Sequence, residues 1–316
     1  MIQLDRPRPD YKTHTFDGNL WLEARQREAQ EDFTRGTLCR HLADNFGNGL
    51  STYFPAWLRD EGLGFDGTGE RPRPNLSDTA HRYLKKLGLG VEDLFHHILA
   101  VLHDPTYRRA NAGALRMEWP RIPLPGWPVS DNTAAVTGKL AASVARGRKL
   151  AALLDAETPV VGVTTGTLRT EIAAIAVPST TDGQHMAGDD FAVTAGWGHF
   201  GSHEAVMPGR GRISERPYTA LENAALGDVG EAVGDATFDV YLNDGAYWSN
   251  IPTAVWNYRL GGHQVLKKWL SYREHKVLGR PLSPREVQHL TDTARRIAAI
   301  LIEVTDRPVA AVHGQP

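Results

Sequence analysis

The chain has 316 residues, of which 41% are hydrophobic and 23% charged, which allows a sizeable core and excludes a wholly disordered chain. Its single cysteine, Cys39, excludes an intrachain disulfide framework and a multi-cysteine zinc site, and it fits a reducing cytoplasm. The net charge is only -2, so any binding of nucleic acid has to depend on local positive charge.

The N-terminal part is predicted to be a helical connector covering residues 1–45, because the stretch 20–45 is polar and helix-like. Its first residues are polar and include prolines, which predicts no signal peptide. No apolar run in the chain approaches the roughly 20 residues that span a membrane. Residues 46–75 are rich in Gly and Pro, which favours loops.

The next part, residues 80–157, is predicted to be helical. From Val91 onward, apolar residues recur at i, i+3, i+4, i+7 and i+8, which is typical of an amphipathic helix. Glu92 and Asp93 lie in its first turn, where the helix dipole favours acids. A second helix is predicted from about residue 133 to residue 154.

The middle of the chain, residues 158–258, is predicted to be rich in short strands separated by Gly, Asp and Pro turns. The predicted strands are residues 160–168, 172–179, 191–197 and 237–243. In the last of these, Phe238 and Val240 alternate with Thr237 and Asp239, which indicates a half-buried strand.

Residues 259–304 are again predicted to be helical. A helix at 262–274 would place Leu266 and Leu270 on one face, with Lys267 and Lys268 pointing away from it. Ser283, Pro284 and Glu286 form the pattern of a capping box with proline at the first helical position. The chain is therefore predicted to have a mixed α+β fold with a β-rich centre, and not a doubly wound sheet.

Two fragments imitate an adenine methyltransferase. Residues 65–69, FDGTG, fit a loop that approaches S-adenosylmethionine, and residues 104–107, DPTY, are one residue from the base-holding D-P-P-Y motif. Prolines follow the first fragment where a helix should begin, and the second ends an amphipathic helix instead of following a strand. We therefore expect Asp104 to be a helix-terminal residue, with no catalytic residue and no cofactor site in this chain.

Other catalytic and metal sites are also disfavoured. The chain has no G-x-x-x-x-G-K-[ST] sequence, and the E-x-K pattern at Glu274 lacks the upstream acid of a nuclease. His96, His97 and His103 lack metal-ligand spacing with a nearby carboxylate, so they are predicted to be surface or interface histidines and no metal is expected.

Positive charge is concentrated near the C-terminal end. Residues 255–285 contain seven Arg and Lys against one acid, Glu274, a net charge of +6. Such a run is typical either of a solvated surface or of a surface that binds nucleic acid.

The same region resembles a known family. Residues 239–285 contain VYLNDGAYWSNIP, AVWNYRLGGHQVLKKWLSYRE and VLGRPLSPREV, and these are similar to the C-terminal specificity domain of type ISP restriction–modification enzymes. Two further parts of the chain resemble the same family: ILAVLHDPTYRR with LRMEWPRIPLP, and RPNLS at 73–77. The resemblance extends over about residues 50–302, with the β-rich middle most divergent, and departs at His263, where a tyrosine is expected.

The resemblance implies a DNA target-recognition domain over residues 46–310. It implies binding of double-stranded DNA and orientation of an adenine-N6 methyltransferase, with a motor and a nuclease, supplied elsewhere in the system. S-adenosylmethionine and ATP would then be bound only by those partner portions, in the cytoplasm. The candidate DNA contacts are Arg71, Arg73, Asn75, Arg210, Arg212, Lys267, Lys268, Arg273, Lys276 and Arg280.

The candidates differ in the contact expected of them. Lys267 and Lys268 suit phosphates, whereas Arg71, Arg73 and Asn75 suit a groove. A variable recognition surface is expected between residues 165 and 216. Two alternatives remain open: a split or degenerate methyltransferase, and a docking module that contacts no DNA.

Overall fold

The computed structural model describes residues 9–26, 36–41, 52–59, 72–127, 133–260 and 262–305. Its described residues form two compact units, one up to Asp155 and the other from Ala156. Both units combine helices with small antiparallel sheets, so the predicted mixed α+β fold is confirmed.

The first unit contains a three-stranded sheet, a two-stranded ladder and a set of helices. Its helices are α1 (Pro9–Lys12), α2 (Asp78–Leu87), α3 (Val91–His103), α4 (Pro105–Ala110), α5 (Ala112–Leu115) and α6 (Thr133–Leu154). Its strands are β1 (Trp21–Ala24), β2 (Thr37–Cys39), β3 (Thr52–Pro55), β4 (Trp57–Leu58) and β5 (Arg73–Pro74). The order in the larger sheet is β2-β1-β3, and β4 pairs with β5.

The predicted helical connector at 1–45 is wrong for the described residues, which contain strands β1 and β2. Trp21 pairs with Cys39 on one side and with Pro55 on the other, and Trp21 is fully buried. Strand pairing of this kind joins residues far apart in the chain, so local polarity and helix propensity do not report it.

The two long predicted helices of this unit are confirmed as α3 and α6, which pack against each other. Gly147 of α6 lies so close to α3 that an added Cβ would be 1.8 Å from the His96 carbonyl oxygen. One face of the helix pair contributes to a buried apolar cluster. Its buried members are Tyr83, Leu84, Leu94, Leu140 and Val144.

Of the two predicted positions for the α3 histidines, surface or interface, a surface position is wrong for His97 and His103, which are each 1% exposed. His97 Nε2 lies 2.9 Å from the Pro123 carbonyl oxygen, and Nδ1 lies 2.7 Å from Ser143 Oγ. Because a carbonyl only accepts, Nε2 carries the proton and Nδ1 accepts from Ser143. Burial lowers the pKa of His97, so the neutral ring is part of the helix packing.

The second unit is built around a four-stranded antiparallel sheet with the order β6-β11-β10-β9. Its strands are β6 (Val177–Thr180), β7 (Gly198–Phe200), β8 (Val206–Pro208), β9 (Ile213–Arg216), β10 (Thr237–Tyr241), β11 (Ala246–Pro252), β12 (Arg259–Leu260) and β13 (His263–Gln264). Its helices are α7 (Thr170–Ala173), α8 (Ala220–Leu226), α9 (Gly230–Val233), α10 (Thr253–Trp256), α11 (Val265–Ser271), α12 (His275–Leu278) and α13 (Pro284–Thr305).

The strand predictions for this unit are only partly right. β10 confirms a strand within 237–243, with Phe238 and Val240 buried and Asp239 half-buried, although Thr237 is buried as well. The predicted strand 160–168 is a turn in which the Val160 carbonyl accepts three successive N–H groups. Residues 172–179 are divided between α7 and β6, and 191–197 form no strand. Short apolar runs do not distinguish a strand from a buried turn.

The sheet packs under α13, the long C-terminal helix. The predicted capping box is confirmed: Ser283 Oγ accepts from Glu286 N, and Glu286 Oε2 accepts from Ser283 N. The four carbonyl groups of residues 173–176 accept from the side chains of Asn250, Thr291 and Arg295. These bonds satisfy the C-terminal carbonyls of α7 and join it to β11 and α13.

The predicted helix at 262–274 is shorter than expected, since α11 begins at Val265 and ends at Ser271. His263 and Gln264 instead form β13, which pairs with β12. Leu266 and Leu270 are buried as predicted. In the described parts of the chain, no helix is long and apolar enough to cross a membrane.

Candidate nucleic-acid interface

The predicted DNA contacts fall into both units. Arg71 lies outside the described residues. Arg73 is exposed on β5, next to Asn75. Asn75 Nδ2 donates to the Pro55 carbonyl at 2.8 Å, so its amide joins the residue after β5 to the end of β3. The structure therefore gives Asn75 a structural role that the sequence pattern did not indicate.

The remaining candidates lie in the second unit, and those on α11 and α12 carry uncompensated charge. Lys267 and Lys268 are half-buried on α11, and Lys276 is exposed on α12. Among the residues that the structure describes, none accepts a hydrogen bond from these three ammonium groups or forms an ion pair with them. Lys268 also helps to lower the pKa of His263, after burial, which places its charge near β13. These lysines can meet an external anion without giving up an internal partner.

Arg273 and Arg280 are held by one carboxylate. Arg280 Nη1 and Nη2 contact the two Glu286 oxygens at 2.7 and 3.2 Å, and Arg273 Nε lies 3.8 Å from Glu286 Oε1. The bonds from Arg280 lower the pKa of Glu286 to about 2, against the effect of burial. Arg273 also lies over the Trp269 ring, 3.9 Å from its centroid. Both arginines therefore stabilise the start of α13.

Arg210 and Arg212 differ in the same way. Arg212 Nη1 lies 2.7 Å from Asp244 Oδ1, and its guanidinium lies 4.2 Å from the centre of the Tyr241 ring. Tyr241 in turn stacks on Tyr247. Arg210 is exposed, and no described residue donates or accepts a bond at its side chain. Of these two, Arg212 has a carboxylate partner within the described residues and Arg210 has none.

The sequence prediction missed an ion-pair network on β9. Arg216 donates to both Glu222 oxygens at 2.7 Å and to Asp239 Oδ2 at 2.9 Å. The bonds to Glu222 raise the pKa of Arg216, and those same bonds lower the pKa of Glu222. A local signal existed, because Thr219 and Glu222 form a T-x-x-E capping box that begins α8. The contact with Asp239 has no local signal.

The E-x-K fragment at Glu274 is structural. Glu274 is 4% exposed and precedes α12. Its carboxylate accepts the backbone N–H of Trp197 at 2.7 Å and that of Gly196 at 3.4 Å. This residue therefore fixes the chain that leads into β7.

The DPTY fragment is structural as well, and the expectation that Asp104 terminates a helix is confirmed. Asp104 caps α4, because its Oδ1 accepts from Thr106 N at 2.7 Å and from Tyr107 N at 3.4 Å. Pro105 occupies the first helical position. Tyr107 donates its hydroxyl proton to the Arg121 carbonyl at 3.0 Å. The other fragment, residues 65–69, lies outside the described residues.

No metal centre is present in the described parts of the chain: no three His, Cys, Asp or Glu side chains there are grouped closely enough to hold an ion.

Comparison with known proteins supports a single family. The family model described as the Type ISP C-terminal specificity domain matches residues 2–299. No curated protein matches the chain significantly. The cryo-EM structure of a DrdV–DNA complex is similar over 92% of this chain, at 19% identity and a TM-score of 0.53. The ATP-dependent Type ISP restriction-modification enzyme LlaBIII bound to DNA is similar over 91%, at 15% identity and a TM-score of 0.52.

These solved proteins are much longer than the region that matches. The chain corresponds to 25% of the DrdV chain and to 16% of the LlaBIII chain. At this level of identity, the structural likeness establishes a shared fold.

Proposed function

Since the chain belongs to the Type ISP C-terminal specificity domain family, we propose that it recognises a DNA sequence for a type ISP restriction–modification system. In this role it orients an adenine-N6 methyltransferase and a translocating nuclease that the rest of the system supplies. The observation that carries the proposal is the family match over residues 2–299. The likeness in fold to two enzymes captured on DNA supports it.

The charges of the second unit favour a particular phosphate-binding surface. A protein that neutralises a phosphate needs a cation without an internal partner, because breaking an existing ion pair offsets the gain. Lys267, Lys268, Lys276 and Arg210 meet that condition. Arg212, Arg273 and Arg280 already lie beside carboxylates of the same unit.

The cofactors belong to the partner portions in this proposal. Asp104 and Tyr107 are engaged in capping α4 and in holding the Arg121 segment, so the DPTY fragment does not offer a base-binding pair. S-adenosylmethionine and ATP would be bound by the methyltransferase and motor portions. Because its partner is cellular DNA, the chain would work in the cytoplasm.

The test is the salt dependence of DNA binding, measured for the chain alone and together with the methyltransferase portion. Lys267→Gln combined with Lys268→Gln removes two positive charges from α11. If both contact phosphates, the slope of log affinity against log salt should flatten by about 2, with the ranking of preferred sequences unchanged. Lys85→Gln combined with Lys86→Gln is the matched control, since these exposed neighbours lie in the last turn of another helix, α2.

The control separates local contacts from the change in net charge. An equal slope for the wild type and the α11 variant would contradict the phosphate assignment. If the α11 variant no longer binds the methyltransferase portion but keeps the wild-type salt slope, this surface docks onto a protein. A wild-type chain that prefers no DNA sequence under either condition would contradict the proposed function.

A further inference from the structure

Residues 196–211 of the second unit form a two-stranded ribbon. In its central part Gly198, His199 and Phe200 pair with Pro208, Met207 and Val206, respectively. At its base, Gly209 N donates to the Trp197 carbonyl at 2.6 Å, and Gly211 N donates to Gly196. At its tip, Gly201 N donates to Ala205. Hydrogen bonds therefore run along the whole 196–211 ribbon.

The base of the ribbon is fixed rigidly to the unit. Trp197 is fully buried, and its indole N–H donates to the Tyr241 carbonyl at 2.7 Å while its backbone N–H donates to Glu274. Gly198 lies against α11 so closely that an added Cβ would be 1.9 Å from the Ser271 carbonyl oxygen. This anchoring sets the direction of the ribbon, which a recognition element needs if its side chains are to meet defined positions.

The tip of the ribbon is formed by two residues in the left-handed conformation. His203 and Glu204 both have a φ of +59°, and Ala205 N donates to the Ser202 carbonyl across them. Residues 202–204 connect the strands, and turn positions with positive φ usually carry Asn or Gly, because other residues adopt this conformation at a cost. The chain nevertheless presents an imidazole and a carboxylate at the tip.

Several side chains of the 196–211 ribbon are exposed to solvent. Phe200 is 52% exposed and Met207 is 46% exposed. His199, His203 and Glu204 are exposed as well, and within the described residues their side chains make no hydrogen bond or ion pair. The ribbon therefore exposes apolar groups beside hydrogen-bonding groups that have no internal partner. The edges of DNA bases present the same mixture, since thymine methyl groups lie beside hydrogen-bonding atoms.

The dimensions and charges of the ribbon fit the major groove of DNA. Two strands lie about 4.8 Å apart and residues 197–201 extend about 14 Å, whereas the groove is about 12 Å wide and about 8.5 Å deep and admits a two-stranded ribbon. Helices α11 and α12, which carry Lys267, Lys268 and Lys276, pack against β7 and β8. Arg210 lies at the base of the ribbon. Cations without an internal partner therefore lie on the helices that pack against the ribbon and at its base.

We propose that the 196–211 ribbon enters the major groove and that His203 and Glu204 at its tip read base edges, an inference that rests on the proposed function. A carboxylate at the tip would accept a hydrogen bond from the cytosine N4 amino group, and the imidazole would bond to a purine edge. The exposed Phe200 would contact a thymine methyl group. The lysines of α11 and α12 supply the phosphate contacts that set the register.

The experiment replaces both tip residues with glycine. His203→Gly combined with Glu204→Gly removes the two side chains while retaining a residue that favours positive φ, so the hairpin should fold and the melting temperature should not fall. The full chain, alone and with the methyltransferase portion, selects from randomised duplex DNA. Asp228→Ala is the control, because it removes an exposed acid of the same unit elsewhere.

The expected result is a loss of preference of about tenfold or more at one or two adjacent base pairs, with an unchanged salt slope. Unchanged preferences in the glycine variant would overturn the ribbon proposal while leaving the proposed function intact. An altered salt slope with uniform loss across sequences would also overturn it, since the tip would then contact phosphates. If the wild type selects no sequence, the proposed function is contradicted, and the ribbon proposal that rests on it is contradicted as well.

Discussion

Gly147 lies where α6 crosses α3, and replacing it with alanine tests the packing of the first unit. The added Cβ would be 1.8 Å from the His96 carbonyl oxygen, whereas ordinary contact begins at 3.4 Å. To restore an ordinary contact of 3.4 Å, the two helices would have to separate by about 1.6 Å. The obstructing atom belongs to the backbone, so no side-chain rotation relieves the contact.

The expected change in the free energy of unfolding for Gly147→Ala follows from three effects. Alanine gains about 1 kcal/mol over glycine in a helix. Overpacking of a core typically costs about 1–3 kcal/mol, and a gap of about 0.5–1 Å already removes a quarter to a half of the dispersion energy between facing atoms. Because the required movement is larger than that gap, we expect the overpacking cost to lie at the upper end of its range. After the gain from alanine is subtracted, the net destabilisation is about 2 kcal/mol.

Gly138 provides the matched control, because it lies on the same helix with nothing within 4 Å of an added Cβ. Gly138→Ala should stabilise the protein by about 1 kcal/mol, so the two variants should differ by about 3 kcal/mol. Urea unfolding of the full chain, followed by far-ultraviolet circular dichroism, measures both. A difference below about 0.5 kcal/mol would refute the close crossing of α3 and α6.

Two further predictions concern buried polar groups of the same unit. Burial lowers the pKa of His97 below 6.5, so unfolding takes up a proton at acid pH and the contribution of this ring to stability is lost as pH falls below about 6.5. The stability difference between the wild type and His97→Gln should therefore narrow between about pH 7.5 and 5 in urea unfolding, and parallel curves would refute this. Asp104→Ala should cost about 1 kcal/mol through loss of the α4 cap, and Asp104→Asn much less. If Asp104→Asn melts like the wild type but abolishes DNA methylation by the assembled system, the structural assignment of this residue is wrong.

The sequence alone predicted the long helices and the family. α3, α6 and α13 depend on interactions between residues three or four apart and on caps such as Ser283 with Glu286, and both leave a readable pattern. Strand β10 was predicted for a similar reason, since alternation along one strand reflects burial of one face. The family motifs were readable because they lie in continuous segments.

Only the tertiary structure decided which charges have internal partners and which segment forms the exposed ribbon. Glu286 holds both Arg273 and Arg280, and Asp244 holds Arg212, although all three arginines looked alike in the sequence. The sheet around Trp21 and the ribbon at 196–211 depend on pairing between strands and on contacts such as Gly198 with α11. Such contacts join residues far apart in the chain, and the energy of a charge depends on the partner and the burial that folding provides.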